Sequence, residues 1–513
     1  RPLQIDRRGA VCYHAPAFIY RQESVHSMAI KFGTSGWRAI LADEFTFPRV
    51  RIAVQAIADY LKEERLHNKP VVIGYDTRFL SEDFAKTAAG VLAANGMESL
   101  LCVRDTPTPV VAFEVLHKKA AGGIIITASH NPPTYNGLKF NSAWGGPALP
   151  QITQRIEAGC EPYLSGEAHP KTGREAVGIK KRLIVPHDPQ PAYFKQLESL
   201  IDRSILKKGK LKVAVDGLWG AGRGYLDAFL KESGVQVVGL HMNRDVLFGG
   251  HSPSPEPEIL AELRAVMAKE KAPLGLATDG DADRFGIVDA DGTMIQPNEF
   301  LPLLLDHMVK TRGWKGVVAR SVMTSHFLDA VAKKHGLTVQ ETPVGFKFIG
   351  DVMAHENSVY PSRGGHFVLG GEESGGLSIR GHVPEKDGVL GCLLAAEIVA
   401  ITKRPLRKSI ELLAKEVGTF HTERLNFHLT AEKMNDLRKK LAHNPPTRLG
   451  EFPVRRIVET DGHKFILTDG SWIGVRLSGT EPVVRVYLET QDTAKLKALE
   501  KAGRVLAGVS AAK

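Results

Sequence analysis

PVVIGYDTRFLSEDFAKTAAGVLAANGMESLLCVRDTPTPVVAFEVLHKKAAGGIIITASHN, residues 70–131, decides the fold. Its opening PVVIGYD (70–76) is a short apolar run with the composition of a buried strand. Ser81 follows with Glu82 and Asp83 behind it, the chemistry of a helix start, and Gly96 suits that helix's end. ESLLCV (98–103) reads as a second strand, a helix runs through VVAFEVLHK (110–118) after TPTP (106–109), and GGIIIT (122–127) reads as a third strand. Strands and helices alternating at these lengths predict a mainly parallel α/β sheet with helices packed across it.

Upstream, Pro48 can open a helix after Thr46, and Val50, Val54, Ile57 and Leu61 recur at the spacing that lines one helical face. Downstream, the Pro-, Gly- and charge-rich stretch from Gly159 to Pro191 reads as a boundary region. The same grammar then restarts with LKVAVD (211–216), GYLDAFLKES (224–233) and VQVVGL (235–240). A third round runs through NEFLPLLLDHMV (298–309), GVVARSV (316–322), a helix over 325–335 ended by Gly336, LTVQE (337–341) and HFVLG (366–370). The closing stretch alternates as RRIVET, KFILTD, WIGVRLS and VRVYLET before a terminal helix at 494–509, the pattern of a smaller α+β domain. The fold class expected is therefore α/β: three tandem mixed α/β sandwich domains plus a smaller C-terminal α+β domain.

With 513 residues, 43% hydrophobic and 24% charged, the chain has the composition of an ordinary multidomain globular protein. The net charge of +10 is thinly spread, with short runs such as KKR (180–182) that suit solvated faces rather than nucleic acid. Cys12, Cys102, Cys160 and Cys392 lie far apart, which argues against a disulfide framework or a zinc site and fits a reducing, cytoplasmic setting. VLGCLLAAEIVAI (389–401) carries Glu397 and falls short of the ~20 residues a membrane-spanning helix needs. Residues 1–27 read as an irregular leader, with Met28 as the candidate natural start.

The strand GIIIT empties into ASHNPPTYNGLKF, and ligands of α/β sheets collect beyond the carboxyl ends of the strands. Ser129 thus stands where a nucleophile belongs, beside His130, Asn131 and Lys139, which could hold phosphate oxygens or move a proton. A structural turn is the alternative, since Asn, Pro and Gly are common turn residues. The strand LGLAT delivers DGDADR (279–284), whose Asp279, Asp281 and Asp283 can converge on one magnesium or calcium ion, with Arg284 as the other compensating charge. A calcium-binding EF-hand loop would need Gly and Glu where Arg284 and Ala290 stand. GLWGAGRG (217–224) lacks a dinucleotide fingerprint, because Tyr225 occupies the last glycine position, and suits a tight strand-to-helix turn. VRLSGTEPVVRVY places Arg476, Ser478, Gly479 and Thr480 in a turn with Arg485 nearby, the makings of a phosphate clamp. GGEESGG (370–376) puts Glu372 and Ser374 on a flexible loop where they could meet hydroxyls, a plain glycine turn being the alternative. A seryl nucleophile, a cation site, a hydroxyl-reading loop and a distant clamp together suit phosphoryl transfer on a phosphorylated sugar.

GTSGWR (33–38), TASHNPPTYNGLKF, DGDADR, GEESGG and RLSGTEP stand in the order of the α-D-phosphohexomutases, a family the chain resembles from about Lys31 into the last domain. The resemblance implies domains at 28–185, 186–296, 297–412 and 413–513 around a central cleft. It implies a phosphoserine at Ser129 and Mg2+ held by that phosphoserine with Asp279, Asp281 and Asp283. It further implies sugar contacts from Glu372 and Ser374, a clamp from Arg476, Ser478, Gly479, Thr480 and Arg485, and proton transfer or phosphate contact from Arg38 and Lys139, with the base undecided between them. GEESGG resembles glucose-preferring members, many dual-specificity members carrying histidine where Gly376 lies, and VGFKF (344–348) makes Lys347 a candidate phosphate contact. The expectation is interconversion of glucose 1-phosphate and glucose 6-phosphate, with glucose 1,6-bisphosphate as intermediate and activator. Mannose phosphates are the alternative substrates, and a non-catalytic cation-binding protein on the same fold is the alternative of another class.

Overall fold

The computed structural model describes residues 29–359, 366–478 and 483–509. The expected leader, Met28, Gly479 and Thr480 lie outside the described residues.

The first sheet holds β1 (Trp37–Ile40), β2 (Val71–Tyr75), β3 (Ser99–Cys102), β4 (Gly122–Ile126), β5 (Tyr135–Ser142) and β6 (Ile184–His187), in the spatial order β1-β5-β4-β2-β3-β6. β2, β3, β4 and β6 are parallel, while β5 pairs antiparallel with β4 and with β1. The helix Phe47–Glu63 buries Val50, Val54, Ile57 and Leu61, as their spacing requires. The helix Ser81–Ala94 begins where expected, but Ser81 makes no cap: its hydroxyl donates to Asp76 Oδ1 at 2.8 Å. Asn136 Nδ2 donates to the hydroxyl oxygen at 3.0 Å, taking the acceptor that a cap would offer to the backbone. The region expected as a boundary holds β6, which adds to β3 and carries the first sheet through His187.

The second sheet comprises β7 (Lys212–Asp216), β8 (Gln236–Leu240), β9 (Leu274–Thr278), β10 (Phe285–Val288) and β11 (Met294–Ile295), ordered β11-β10-β9-β7-β8. The third comprises β12 (Val317–Ser321), β13 (Thr338–Thr342), β14 (Phe367–Gly371) and β15 (Leu377–Ile379), ordered β13-β12-β14-β15. One topology recurs in all three sheets. The first strand of each parallel set lies between the second and third, and the third turns back into an antiparallel neighbour: β4 into β5, β9 into β10, β14 into β15. The turns of these three hairpins carry Ser129, the three aspartates, and Glu372 with Ser374. The fold thus presents its polar motifs at equivalent positions of three repeated units.

The apolar run at 389–401 lies within the helix Gly388–Thr402, whose residues through Ala400 are all buried, some of them against β9 and β10. No described helix is long and apolar enough to cross a membrane. The last unit is an antiparallel sheet of β16 (His421–His428), β17 (Arg448–Leu449), β18 (Phe452–Val458), β19 (His463–Leu467), β20 (Trp472–Leu477) and β21 (Val483–Thr490), ordered β16-β21-β20-β19-β18-β17. Helices Ala431–His443 and Leu496–Leu506 cover one face. Ile466, Trp472 and Tyr487 on the other pack against Val322 and Met323 of the third unit.

Candidate active site

Ser129 sits in the β4–β5 turn with φ of 54°, a left-handed conformation that costs a non-glycine residue roughly 1–3 kcal/mol unless its surroundings impose it. The surroundings are polar and buried. Thr127 Oγ1 accepts from Ser129 N at 2.8 Å and donates to Asp76 Oδ2 at 2.6 Å. Arg78 donates to the carbonyl oxygens of Ser129, Asn131, Pro132 and Tyr135. Neither Asp76 nor Arg78 was singled out from sequence; GYDTR shows only a strand end, not what its carboxylate and guanidinium will hold. Within ASHNPPTYNGLKF the chain is already in β5 from Tyr135, so Gly137 and Lys139 are strand residues rather than part of the serine turn. A Cβ at Gly137 would lie 2.5 Å from Thr127 O and 2.6 Å from Trp37 O, so only glycine lets the two flanking backbones close on β5.

The Ser129 hydroxyl donates to Asp279 Oδ2 at 2.9 Å, across 150 residues of sequence, and His130 Nδ1 stands 3.3 Å from it. Asp279, Asp281 and Asp283 are buried, with ligand oxygens within 4.8 Å of one another. Lys139 Nζ donates to Asp281 at 2.5 Å and to Asp283 at 2.7 Å, Lys386 Nζ reaches Asp283 at 2.7 Å, and the Thr108 hydroxyl donates to Asp281 at 2.5 Å. Burial, with the charges of Asp283 and Asp281, holds Asp279 well above the usual carboxylate range. Burial opposes the charged form of Asp283 too, but Lys139, Lys386 and Arg284 outweigh it and hold that carboxyl low. Asp281 Oδ1 and Asp283 Oδ1 remain buried with no hydrogen-bond partner. Three converging carboxylates, two with an orphaned oxygen, fit an oxygen-ligated Mg2+, which would reverse the penalty on Asp279. GLWGAGRG backs this loop: Ala221 N donates to Gly280 O at 2.9 Å, and a Cβ at Gly220 would lie 2.8 Å from the same oxygen.

The other expected residues divide among several walls. Arg38 on β1 donates to Asn131 Oδ1 at 2.8 Å, beside the serine turn. Arg284 closes the aspartate loop, its backbone N donating to Asp279 Oδ1. Burial, then the charges of Arg284 and Arg38, pushes His130 well below the ordinary histidine range, so its imidazole is neutral. Glu372 accepts from Gly345 N at 2.8 Å, and burial with the charge of Glu373 raises it to about 7. The Ser374 hydroxyl lies 3.5 Å from Glu372 Oε2. Burial lowers Lys347, against the opposing charges of Asp461 and Glu157. Arg476 and Arg485 are register partners across β20 and β21, on one face of that sheet. Ser478 is buried at the end of β20, its N donating to Val483 O at 2.9 Å. Asp461, which the sequence does not mark, accepts from Arg476 Nε at 3.0 Å and from Val344 N at 3.1 Å, linking Arg476 to the loop carrying Lys347. Lys386 was missed as well. Its signal was Asp387, which caps the apolar helix that follows and so fixes the preceding lysine at the site.

Comparison with known proteins agrees with this geometry. Four profiles of one family match in order: Phosphoglucomutase/phosphomannomutase alpha/beta/alpha domain I at residues 29–164, domain II at 191–292, domain III at 296–416, and the C-terminal domain at 426–503. A phosphoglucomutase of Komagataeibacter xylinus is 31% identical, the alignment covering 98% of this chain and 95% of that one. A probable phosphoglucosamine mutase of Pyrococcus horikoshii is 32% identical, over 89% and 93%. Among solved structures, a putative phosphomannomutase of Thermus thermophilus superposes with a TM-score of 0.78 at 32% identity, covering 94% of this chain and 99% of that one. Relatives named for different sugars thus lie at similar distance, while the profiles span all four units, and the chain belongs to the phosphoglucomutase/phosphomannomutase family as an isomerase-type phosphotransferase, a phosphohexomutase.

Proposed function

We propose that this phosphohexomutase interconverts glucose 1-phosphate and glucose 6-phosphate through a phosphoserine at Ser129 and a glucose 1,6-bisphosphate intermediate. The observation that carries the reading is the Ser129 hydroxyl 2.9 Å from Asp279, within a buried aspartate triad. In one half-reaction a sugar hydroxyl gives up its proton and its oxygen bonds to phosphorus as the phosphorus–Ser129 Oγ bond breaks, Ser129 Oγ gaining a proton to become the hydroxyl. The bisphosphate turns around, Ser129 Oγ takes the other phosphoryl group, and the released sugar oxygen regains a proton. The Ser129 proton that leaves in that return step points at Asp279 Oδ2, with His130 Nδ1 3.3 Å from Oγ, whereas Lys139 donates to two carboxylates. Asp279, Asp281, Asp283 and the phosphoserine would hold Mg2+, which supplies charge neutralisation on the transferring phosphoryl group. Arg476, Ser478, Gly479, Thr480 and Arg485 grip the non-reacting phosphate, with Lys347 nearby.

Glucose is preferred over mannose in this reading because Glu372 and Ser374 form the sugar-reading turn and Gly376 follows them as glycine. A coupled assay with glucose 1-phosphate, mannose 1-phosphate and glucosamine 1-phosphate tests it. Highest kcat/KM on glucose 1-phosphate is expected. Higher values on either other sugar would replace the substrate, and metal binding without turnover on any would make this a cation-binding protein.

A further inference from the structure

We propose that Arg78 is a positioning residue of the phosphoryl transfer, acting through the backbone of Ser129; this rests on the reading of Ser129 as the phosphoryl carrier. The Arg78 side chain is fully buried, and each of its five N–H donors has a partner. Nε donates to Asp76 Oδ2 at 3.0 Å, Nη1 to Pro132 O at 2.8 Å and Tyr135 O at 2.9 Å, and Nη2 to Ser129 O and Asn131 O, both at 2.6 Å. The Phe248 ring closes one face of the guanidinium, 5.1 Å from its carbon.

Carbonyl oxygens of four residues thus converge on one buried point, where their negative ends would repel without a cation between them. A planar fork meets that need, whereas an ammonium offers only three donors from a single point. Asp76, which orients the fork, also accepts from Arg78 N, Ser81 Oγ and Thr127 Oγ1. Thr127 in turn accepts from Ser129 N. Both backbone polar groups of Ser129 are therefore held from the same Asp76–Arg78 pair, one directly and one through Thr127. Held on both sides, the left-handed Ser129 cannot relax toward ordinary backbone angles, and its Oγ stays aimed at Asp279. Arg78 reaches no part of the aspartate triad by hydrogen bond, although its charge also acts on Asp281, Asp279 and His130; Arg78→Lys keeps that charge and removes the fork, so it isolates the hold on the backbone of the serine turn.

The test is steady-state kinetics of full-length Arg78→Lys and Thr127→Val enzymes, with far-UV circular dichroism and a thermal melt as checks on folding. Misplacing a nucleophile by about 1 Å costs on the order of a hundredfold in rate. Folded Arg78→Lys is expected to lose about that much in kcat, with KM within about threefold of wild type, because the sugar-binding walls are untouched. Thr127→Val, which keeps side-chain shape and removes only the hydroxyl relay, is expected to lose kcat in the same way. Guanidinium at sub-denaturing concentration should restore part of the turnover of Arg78→Ala and none of that of Thr127→Val. A folded Arg78→Lys enzyme with wild-type kcat, or one impaired in KM alone, overturns the proposal. If Arg78→Lys does not fold, Thr127→Val decides, and wild-type kcat in that variant overturns it equally. Mutase activity of the wild type that survives Ser129→Ala would instead defeat the underlying reading, so the two failures are distinct.

Discussion

At the aspartate triad the balance between repulsion and compensation is set by single atoms. Asp281 accepts from Lys139 and Thr108 through Oδ2 and leaves Oδ1 buried and unpartnered. Asp281→Asn removes a charge from the cation site and is expected to cost roughly a thousandfold in turnover, since preorganised charge at a transferring group is worth several kcal/mol. A metal titration of activity checks it: the variant should need more Mg2+, and the wild type should lose activity in chelator and regain it on adding Mg2+. Glu372 makes a pH-dependent prediction. Burial raises its carboxyl to about 7, so below that pH the protonated group gives up acceptor capacity toward sugar hydroxyls. KM for the sugar phosphate should fall as pH rises through about 7, and Glu372→Gln should flatten that profile. The stability sign is opposite. The folded form holds this proton more tightly than the unfolded chain, so the contribution is full below the ordinary glutamate value and is lost as pH rises through about 7, a loss Glu372→Gln removes in melts across that range. That Ser129, the aspartates and Glu372 stand in turns just past apolar strands was legible in the sequence, because each lies in a short polar stretch after such a strand; a role for Glu372 came only with the family resemblance. Arg78, Asp461 and Lys386 were not, because their partners lie far along the chain or in backbone carbonyls that sequence does not mark.

Among the elements, three hairpins with the same topology do the presenting. Their parallel strands were readable as apolar runs bounded by glycine and helix signals. Their antiparallel returns were not: YNGLKFNS mixes polar and apolar residues yet is buried from Asn136 through Ser142, where Asn136 Nδ2 donates to Ser81 Oγ and Asn141 Nδ2 to Gly145 O, while Asn141 Oδ1 and Ser142 Oγ find no partner. The third hairpin sets a test of close packing. A Cβ at Gly376 would lie 2.7 Å from Lys386 Cδ and 3.0 Å from its Cβ, so a histidine there must displace the lysine that pairs with Asp283. Gly376→His is expected to lower kcat on glucose 1-phosphate by about tenfold or more, the effect of a displaced charged group at a reacting centre. Steady-state kinetics with glucose and mannose 1-phosphates check it, and unchanged turnover would show that Lys386 is not needed where it stands.

For the whole molecule, the proposed reaction requires one serine, Ser129, to serve both ends of a sugar. Arg476 and Arg485, the proposed phosphate clamp, lie on the fourth unit, and Asp461 ties Arg476 to Val344 of the third. Arg476→Ala removes a charge-assisted contact worth about 1.5–3 kcal/mol. Remote binding energy positions the reacting end, so turnover should fall along with apparent affinity. The bisphosphate should also escape more often, and assays across glucose 1,6-bisphosphate concentrations should show a stronger requirement for it. That the chain divides into repeated α/β units and a final antiparallel one was legible from the recurring strand and helix patterns; that the third unit's buried helix packs on the second unit's sheet was not, because an apolar run does not say which sheet it covers.

The central claim, that Ser129 carries the phosphoryl group exchanged with glucose phosphates, is tested most directly by following label. Wild-type enzyme and Ser129→Ala are incubated with Mg2+ and glucose 1,6-bisphosphate carrying labelled phosphate, then chased with unlabelled glucose 1-phosphate, and protein and sugar are analysed by mass spectrometry. The expected result is label on Ser129 of the wild type, lost to the sugar on the chase as glucose 6-phosphate forms, with neither event in a folded Ser129→Ala. Label on another residue, or glucose 6-phosphate formed by the Ser129→Ala enzyme, would contradict the account.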